Sequence, residues 1–299
     1  MRRTLFIILS IALLLTLAIC PIASADTTTP TLERVIPSPD TYVDLSMPIA
    51  TAADGEILCI IHVDEEAIPS RYILLAYDDG EHIQTLDTGL DKPTDIAVHG
   101  HFVILFYKDI AIKAYDLETA QLVDFSIIPA NPVNFALDND LLYVQYGATV
   151  DVFSLENIAN DEIVKVTTAP YAPYSFVPTS FTVTNGVIYY DVKVESDITN
   201  PEPYYSIYSY DTKADAPVST LVAPKIDDPI LKLASNEAYL YALLDKADNN
   251  IVSAYKFSAQ SGATTVPLKT LEPSSISTNG VYLYVTHMTD ETVDIYNQS

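Results

Sequence analysis

Short apolar runs separated by polar turns cover most of this chain, and their lengths are those of β-strands. The clearest example follows Pro93, where Ile96–Val98 is apolar, Phe102–Tyr107 is continuously apolar and Ile110–Tyr115 is mostly apolar. Short segments that contain Gly or Asp separate these runs, as they do in tight turns. The pattern predicts consecutive strands of an antiparallel sheet.

This unit recurs along the chain. Six prolines each precede a strand-like run, and the intervals between them are 39 to 51 residues: Pro48, Pro93, Pro132, Pro178, Pro229 and Pro273. Repeats of about 40–50 residues with several short strands are typical of β-propeller blades. A predicted turn begins six or seven residues after each proline, at Asp54-Gly55, His99-Gly100, Asn139-Asp140, Asn185-Gly186, Asn236-Glu237 and Asn279-Gly280.

The predicted third strand of each repeat ends in an aromatic residue followed by a small polar one. The six pairs are Tyr77-Asp78, Tyr115-Asp116, Phe153-Ser154, Tyr210-Asp211, Phe257-Ser258 and Tyr296-Asn297. The aromatic ring can wedge between neighbouring sheets, and the polar side chain can turn the chain by bonding its own backbone. A fourth strand follows in the first five repeats.

The sixth repeat lacks a fourth strand, because the sequence ends directly after its third. A strand-like run, Leu32–Ile36, precedes the first repeat. If this run pairs with the last repeat, it completes the sixth sheet and removes the exposed edges. The sequence therefore predicts an all-β fold over residues 31–299, a six-bladed β-propeller with the N-terminal strand completing the last blade.

This pattern resembles the six-bladed β-propeller superfamily, especially its bacterial secreted members of the TolB-like and NHL-like type, in which a Tyr-Asp pair closes the third strand. The resemblance covers residues 31–299. The chain has no tryptophan and only 8 glycines, so the Trp-Asp and double-glycine motifs of other propellers are missing. Members include enzymes, protein binders and surface proteins, so the resemblance implies a fold and leaves the role open.

The N-terminus has the three parts of a secretory signal peptide. Met1–Arg3 is positively charged, Leu5–Ile19 is uncharged and largely apolar, and Ala23–Ala25 forms a small-x-small cleavage site. We therefore expect a signal peptide over residues 1–25 and a linker over residues 26–30. The mature chain would be secreted, periplasmic or bound at the cell surface. An uncleaved anchor and a lipid attached at Cys20 are the alternatives.

Few features of the predicted mature chain suggest a membrane or a disulfide. No other long apolar stretch is present, so we expect no membrane insertion of the mature chain. Cleavage near Ala25 leaves Cys59 without a second cysteine. Because Cys59 lies inside the apolar run Ile57–Ile61, we interpret it as a buried and inert thiol.

The chain is strongly acidic, with a formal net charge of −25. Residues 1–25 contain Arg2 and Arg3 and no acid, so the predicted mature chain carries −27. Such a surface repels nucleic acid and anionic lipid, so we expect no nucleic-acid partner. It suits a basic partner, a cation or a saline medium, or it serves solubility alone.

The topology of a propeller gives it two distinct faces. Second-to-third and fourth-to-first connections share one face, which we name the loop face. First-to-second and third-to-fourth turns form the opposite face, which we name the turn face. Four long connections of this chain fall on the loop face, over residues 63–70, 169–177, 193–203 and 245–250. Long loops on a rigid scaffold are the usual place for binding.

Two of these connections are rich in tyrosine and proline. Tyr171 and Tyr174 lie in one of them, and Tyr204 and Tyr205 follow the other. Tyrosines next to prolines provide a large contact area at low entropic cost. We therefore predict that these four residues bind a protein or another extracellular ligand. The alternative is that the rings cover their own loops.

Acidic residues on the loop face indicate a second kind of site. Asp64, Glu65, Asp245 and Asp248 carry the oxygen ligands that Ca²⁺ prefers. Calcium is thus the candidate cofactor, although solvated turn carboxylates explain the same residues and no segment matches the EF-hand template. On this alternative the protein is a calcium-dependent hydrolase or lyase, with Asp64, Glu65 and Asp245 at the mouth of the central channel.

Histidine and nucleophile motifs do not point to catalysis. His62 and His287 end predicted second strands, where we expect surface residues, and His99 and His101 flank a turn. The chain contains no Gly-x-Ser-x-Gly, His-Glu-x-x-His or phosphate-loop motif. The sequence therefore favours a monomeric binding module over an enzyme.

Overall fold

The computed structural model describes residues 31–37, 46–64, 67–147, 149–160, 162–170, 178–195, 202–214, 218–246, 250–256, 264–266, 273–287 and 291–297. These residues form 24 strands and one 3₁₀ turn, Ile158–Asn160. The strands make six four-stranded sheets in which every pair of neighbours is antiparallel. Over these ranges, no helix is long and apolar enough to span a membrane.

Each of the first three blades is built from four consecutive strands. Blade 1 contains β2 (Ser46–Asp54), β3 (Ile57–Asp64), β4 (Arg71–Asp78) and β5 (Glu81–Gly89). Blade 2 contains β6 (Asp95–His99), β7 (Phe102–Tyr107), β8 (Ala111–Asp116) and β9 (Gln121–Val123). Blade 3 contains β10 (Asn134–Asp138), β11 (Leu141–Tyr146), β12 (Thr149–Asn157) and β13 (Glu162–Pro170).

The remaining strands form blades 4 to 6. Blade 4 contains β14 (Phe181–Thr184), β15 (Val187–Val194), β16 (Tyr204–Asp211) and β17 (Ser219–Ile226). Blade 5 contains β18 (Ile230–Ser235), β19 (Tyr239–Leu244), β20 (Ile251–Lys256) and β21 (Thr264–Thr265). Blade 6 contains β22 (Pro273–Thr278), β23 (Tyr282–His287) and β24 (Thr292–Asn297), and β1 (Thr31–Pro37) lies antiparallel beside β24.

The first strands of all six blades line one central channel, which makes the architecture a six-bladed β-propeller. The predicted all-β, six-bladed propeller is therefore confirmed. The second strands β7 and β19 are buried along their whole length, which explains their apolar sequences. A strand between two neighbouring sheets has no face in contact with solvent, so its sequence is a continuous apolar run.

The core consists of clusters between adjacent blades. On β3, Cys59 and Ile61 pack towards blade 2, in the same cluster as Val103 of β7, whereas Leu58 and Ile60 pack with residues of blade 6. Each of the leucine, isoleucine and valine side chains contributes about 1.5–3 kcal/mol when fully buried. Cys59 is inaccessible, and burial raises the pKa of its thiol, as expected for an inert cysteine.

The residues that close the third strands behave as the pattern indicates. Phe153 and Tyr296 are fully buried between sheets. Asp116 Oδ1 accepts a hydrogen bond from the backbone N–H of Glu118 at 2.8 Å. Asp211 Oδ1 accepts the equivalent hydrogen bond from the backbone N–H of Lys213, also at 2.8 Å. Burial opposes ionisation of Asp116, but its hydrogen bonds outweigh this and lower the pKa of its carboxyl group. The pair Phe257-Ser258 lies outside the described residues.

Hydrogen bonds between hairpin turns join neighbouring blades on the turn face. Asp54 of blade 1 accepts a hydrogen bond from the N–H of Gly100 in blade 2 at 2.7 Å, and Asp138 of blade 3 accepts one from Gly186 in blade 4 at 2.7 Å. Asn279 of blade 6 donates to the carbonyl oxygen of Gly55 at 2.9 Å. These contacts fix the turns relative to one another, including the junction between the first and last blades.

The first two hairpin turns lie one residue later than predicted. Asp54 pairs with Ile57 and His99 pairs with Phe102, so the turns are Gly55-Glu56 and Gly100-His101. Both glycines have positive φ values of 57° and 55°, which L-residues with a side chain rarely adopt. The residue before each glycine remains in the strand because it still pairs across the ladder.

Candidate binding faces

The tyrosines predicted to bind a ligand fall partly within the described residues. Tyr204 and Tyr205 are half-buried and begin β16 at the loop-face end of blade 4. Tyr204 pairs with Val194 and Tyr205 pairs with Lys193 of β15. The two rings are thus presented by a paired strand and not by a free loop. Tyr171 and Tyr174 lie outside the described residues.

Successive side chains of a strand point to opposite faces of the sheet, so the two tyrosines have different surroundings. Tyr205 packs against the cluster between blades 4 and 5, which includes Ile207 and Ile230. Tyr204 therefore points to the other side of the sheet, towards blade 3. One ring of the pair is anchored in the core, and the other is the more suitable contact residue.

Two of the four acidic residues predicted to bind calcium, Asp64 and Asp245, lie within the described residues. Asp64 is the last residue of β3, and its Oδ1 accepts a hydrogen bond from the N–H of Ala67 at 3.0 Å. Asp245 is exposed directly after β19. Glu65 and Asp248 lie outside the described residues. Within the part of the chain that the structure describes, no group of three or more His, Cys, Asp or Glu could hold a metal ion.

A different acidic residue lies at the loop-face end of the central channel. Asp95 starts β6 in blade 2, and Lys232 of β18 in blade 5 donates a hydrogen bond to its carboxylate. Lys232 Nζ also lies 3.3 Å from Ser275 Oγ of blade 6. Blades 2 and 5 are opposite each other in a ring of six, so this ion pair crosses the channel. The sequence offered no signal for it, because 137 residues separate the partners.

The channel itself is narrow. Its cavity volume is about 140 Å³, below the range of about 300–1,000 Å³ that is usual for small-molecule pockets. Hydroxyl groups near it bond to one another, as in Thr51 with Ser277 at 3.1 Å and Thr182 with Ser235 at 3.0 Å. These contacts join blade 1 to blade 6 and blade 4 to blade 5, so the groups hold the ring together.

The expectation that His62 and His287 are surface residues is wrong. Their exposed fractions are 2% and 0%. His287 Nε2 lies 3.5 Å from Oδ2 of the buried Asp294, which also accepts a hydrogen bond from the Tyr296 hydroxyl at 3.2 Å. The prediction failed because the second strands are enclosed by neighbouring blades up to their loop-face ends, and β3 continues two residues beyond His62.

Charge is distributed unequally between the two faces. Within the described ranges, the exposed cations of the loop face include Arg71, Lys92, Lys108, Lys193, Lys225 and Lys246. The turn face instead carries exposed carboxylates on five blades: Asp54, Glu56, Asp78, Asp79, Glu81, Glu118, Asp140, Glu156, Glu162, Asp211 and Glu237. The lysines among its described residues are Lys213 and Lys256. Exposed carboxylates also lie on the loop face, so the two faces differ mainly in their cations, which are fewer on the turn face; these carboxylates are Asp87, Asp91, Asp109, Asp124, Glu195, Glu202, Asp227, Asp245 and Glu291.

Two grooves open on the turn face, on either side of the first hairpin of blade 6. The groove towards blade 1 has a volume of about 480 Å³ and is lined by residues that include Leu58, Tyr282 and Tyr284. The groove towards blade 5 has a volume of about 440 Å³ and is lined by residues that include Tyr239 and Val281. Neither groove was predictable from the lengths of the connections, which favour the loop face.

Comparison with known proteins identifies the fold and no closer relationship. No family model matches the chain, and no curated protein matches it. The structure is similar to a chain in the crystal structure of the mitotic checkpoint complex, with a TM-score of 0.53, 12% sequence identity and coverage of 91% of this chain and 94% of that chain. It is also similar to the β-propeller domain of Myceliophteria thermophila Cps50 (Swd1), with a TM-score of 0.57, 10% identity and coverage of 90% and 100%.

The blade topology and these similarities define the class of this protein, which is a six-bladed β-propeller protein. Sequence identities this low show a shared fold and nothing finer. The bacterial secreted type that the sequence resembles stays a prediction.

Proposed function

We propose that this protein is a secreted interaction module that binds a protein or another extracellular ligand through its loop face. The observation that carries the proposal is the placement of Tyr204 and Tyr205. Both rings are half-buried at the loop-face end of a paired strand, and Tyr205 is held by the core between two blades. A rigid aromatic side chain loses little entropy on binding, which favours it as a contact residue.

The similar structures support a role in protein binding. One of them is a chain in the crystal structure of the mitotic checkpoint complex. A closed ring of six sheets suits this role, because its core is independent of its loops. We propose that the protein acts as a monomer, and that Tyr171 and Tyr174 extend the surface formed by Tyr204 and Tyr205.

The test is affinity capture with tagged protein, using extracellular and surface proteins from the organism of origin. We compare the wild-type protein with Tyr204→Ala and with Glu156→Gln, a control on the opposite face. A tyrosine that acts as a binding hot spot contributes about 2 kcal/mol, so Tyr204→Ala should lower the affinity for the captured partner roughly thirtyfold. Glu156→Gln should retain it.

Tyr204→Ala is chosen over Tyr205→Ala because Tyr205 packs against the core and its truncation would destabilise blade 4. Thermal unfolding verifies that each variant is folded before capture. If Tyr204→Ala binds every captured protein as tightly as the wild type does, the loop-face proposal is wrong.

A further inference from the structure

The groove between blades 6 and 1 combines an apolar interior with an acidic rim. Leu58, Tyr284 and Ile295 are buried, and Tyr282 is half-buried beside them. Glu56 and Asp79 are exposed at the edge of the same groove. An apolar interior next to two carboxylates matches a side chain that has an aliphatic stem and a positive head group.

Backbone and side-chain hydrogen bonds fix the shape of this groove. The N–H of Asp79 donates to the carbonyl oxygen of Glu56 at 3.2 Å, so the two acidic residues lie on turns that are bonded to each other. Asn279 Nδ2 lies 3.1 Å from the Tyr284 hydroxyl and also contacts Gly55 of blade 1. The groove is thus preformed, which lowers the entropic cost of binding.

The two rim carboxylates are available to a partner. Among the described residues, neither Glu56 nor Asp79 has an ion pair or a side-chain hydrogen bond. The groove also lies on the turn face, where exposed carboxylates outnumber the described lysines, Lys213 and Lys256. The field of this face repels an anionic occupant and attracts a cationic one.

We propose that this groove binds a lysine or arginine side chain from a cationic segment of another protein. The aliphatic stem packs on Leu58 and Ile295, and the charged head group lies between the rim carboxylates and the Tyr282 ring. The protein already contains such a contact, since Lys113 Nζ lies 4.6 Å from the centre of the Tyr107 ring.

The second groove explains why the occupant is a chain segment and not a small cation. It lies across the blade 6 hairpin, is lined by Glu237, Tyr239 and Val281, and has a similar volume. Val281 is 56% exposed, and the Glu237 carboxylate has no partner among the described residues. An extended segment that crosses the hairpin places one side chain in each groove. This gives an affinity that a single free cation lacks.

The experiment measures fluorescence anisotropy of a short labelled peptide of alternating arginine and glycine, added to the purified full-length protein. The groove variant is Glu56→Gln with Asp79→Asn, which removes both charges and keeps the shapes. Asparagine tolerates the positive φ of 45° at Asp79. The matched control is Glu118→Gln with Glu156→Gln, which removes the same charge from blades 2 and 3 of the same face.

We expect the groove variant to bind the peptide about tenfold more weakly, and the control about twofold more weakly at most. A second variant, Tyr282→Leu, keeps an apolar wall without the ring face and should weaken binding about threefold. Tyr204→Ala should leave peptide binding unchanged, so this surface and the loop face are tested separately.

Three results would overturn the proposal. The first is that the peptide does not bind, and the second is that the two charge variants weaken peptide binding equally. The third is that free spermidine displaces the peptide at the concentration expected for a single binding cation. The second result would assign binding to the general field of the turn face, and the third would assign the groove to a small cation. Thermal unfolding confirms that the exposed-residue variants remain folded.

Discussion

Lowering the pH should destabilise this protein through His62. The side chain is 2% exposed, and neither ring nitrogen has a hydrogen-bond partner among the described residues. Side-chain alternation places His62 on the same face of β3 as Leu58 and Ile60, which pack with Val293 and Ile295 of blade 6. Burial in these surroundings lowers the pKa of His62 from 6.5 to about 4.

The sign of the effect follows from where the proton binds first. In the unfolded chain His62 has its ordinary pKa of 6.5, whereas in the folded protein the pKa is about 4. As the pH falls, the unfolded chain therefore binds the proton first and is favoured. The stability that neutral His62 contributes is complete above pH 6.5 and is lost between pH 6.5 and pH 4. The full loss is about 3 kcal/mol, of which about 2 kcal/mol is lost by about pH 5.

The assay is urea denaturation of the wild-type protein and of His62→Phe, at about pH 7 and about pH 5. Phenylalanine has a similar volume and does not titrate. Between the two pH values, the free energy of unfolding of the wild type should therefore fall by about 2 kcal/mol more than that of the variant. Burial raises the pKa of Asp191, so this residue makes the folded protein more stable as the pH falls, but its contribution is the same in both proteins.

The control is His82→Gln, which replaces an exposed histidine of the same blade. This variant should keep the pH dependence of the wild type. If His62→Phe loses as much stability on acidification as the wild type does, then His62 is not the titrating group and the reasoning about its burial is wrong.

Three further measurements test other parts of the structure. Asp191→Ala should cost about 2–4 kcal/mol in urea, because it removes the acceptor of the Thr179 hydroxyl and of the Ser180 N–H; a cost below about 0.5 kcal/mol would contradict this. The double-mutant cycle of Asp95→Asn and Lys232→Met should give a coupling of about 1 kcal/mol, and a coupling near zero would mean that the pair does not cross the channel in solution. Saturating Ca²⁺ should leave the melting temperature within about one degree, whereas a rise of several degrees would favour the calcium-dependent enzyme.

The two proposed surfaces use different physical interactions, so experiments can separate them. Tyr204 on the loop face offers aromatic contact area, and binding there should depend weakly on salt. Glu56 and Asp79 on the turn face act through exposed charge, and binding there should weaken as the ionic strength rises, since the Debye length falls to about 8 Å at physiological salt. A partner that binds both faces would require two separate contact regions.

The strands were predictable because each one is determined by neighbours a few residues away. The second strand β7 begins and ends at the predicted residues, since a strand enclosed on both sides requires an apolar run with a turn at each end. Positions within turns were less certain. The Asp54 hairpin shifted by one residue, because both Asp54-Gly55 and Gly55-Glu56 are compatible with the local sequence and the ladder register decided between them.

The sequence by itself determined the number of repeats, the class of fold and the acidity of the surface, because these properties depend on local pattern and composition. Tertiary structure alone decided that Lys232 meets Asp95 across the channel, that His62 is enclosed, and that Glu56 and Asp79 border one groove with Tyr282. Each of these contacts joins different blades or different turns. The number of residues between two partners does not predict the distance between them, because the closure of the ring of blades determines which residues meet.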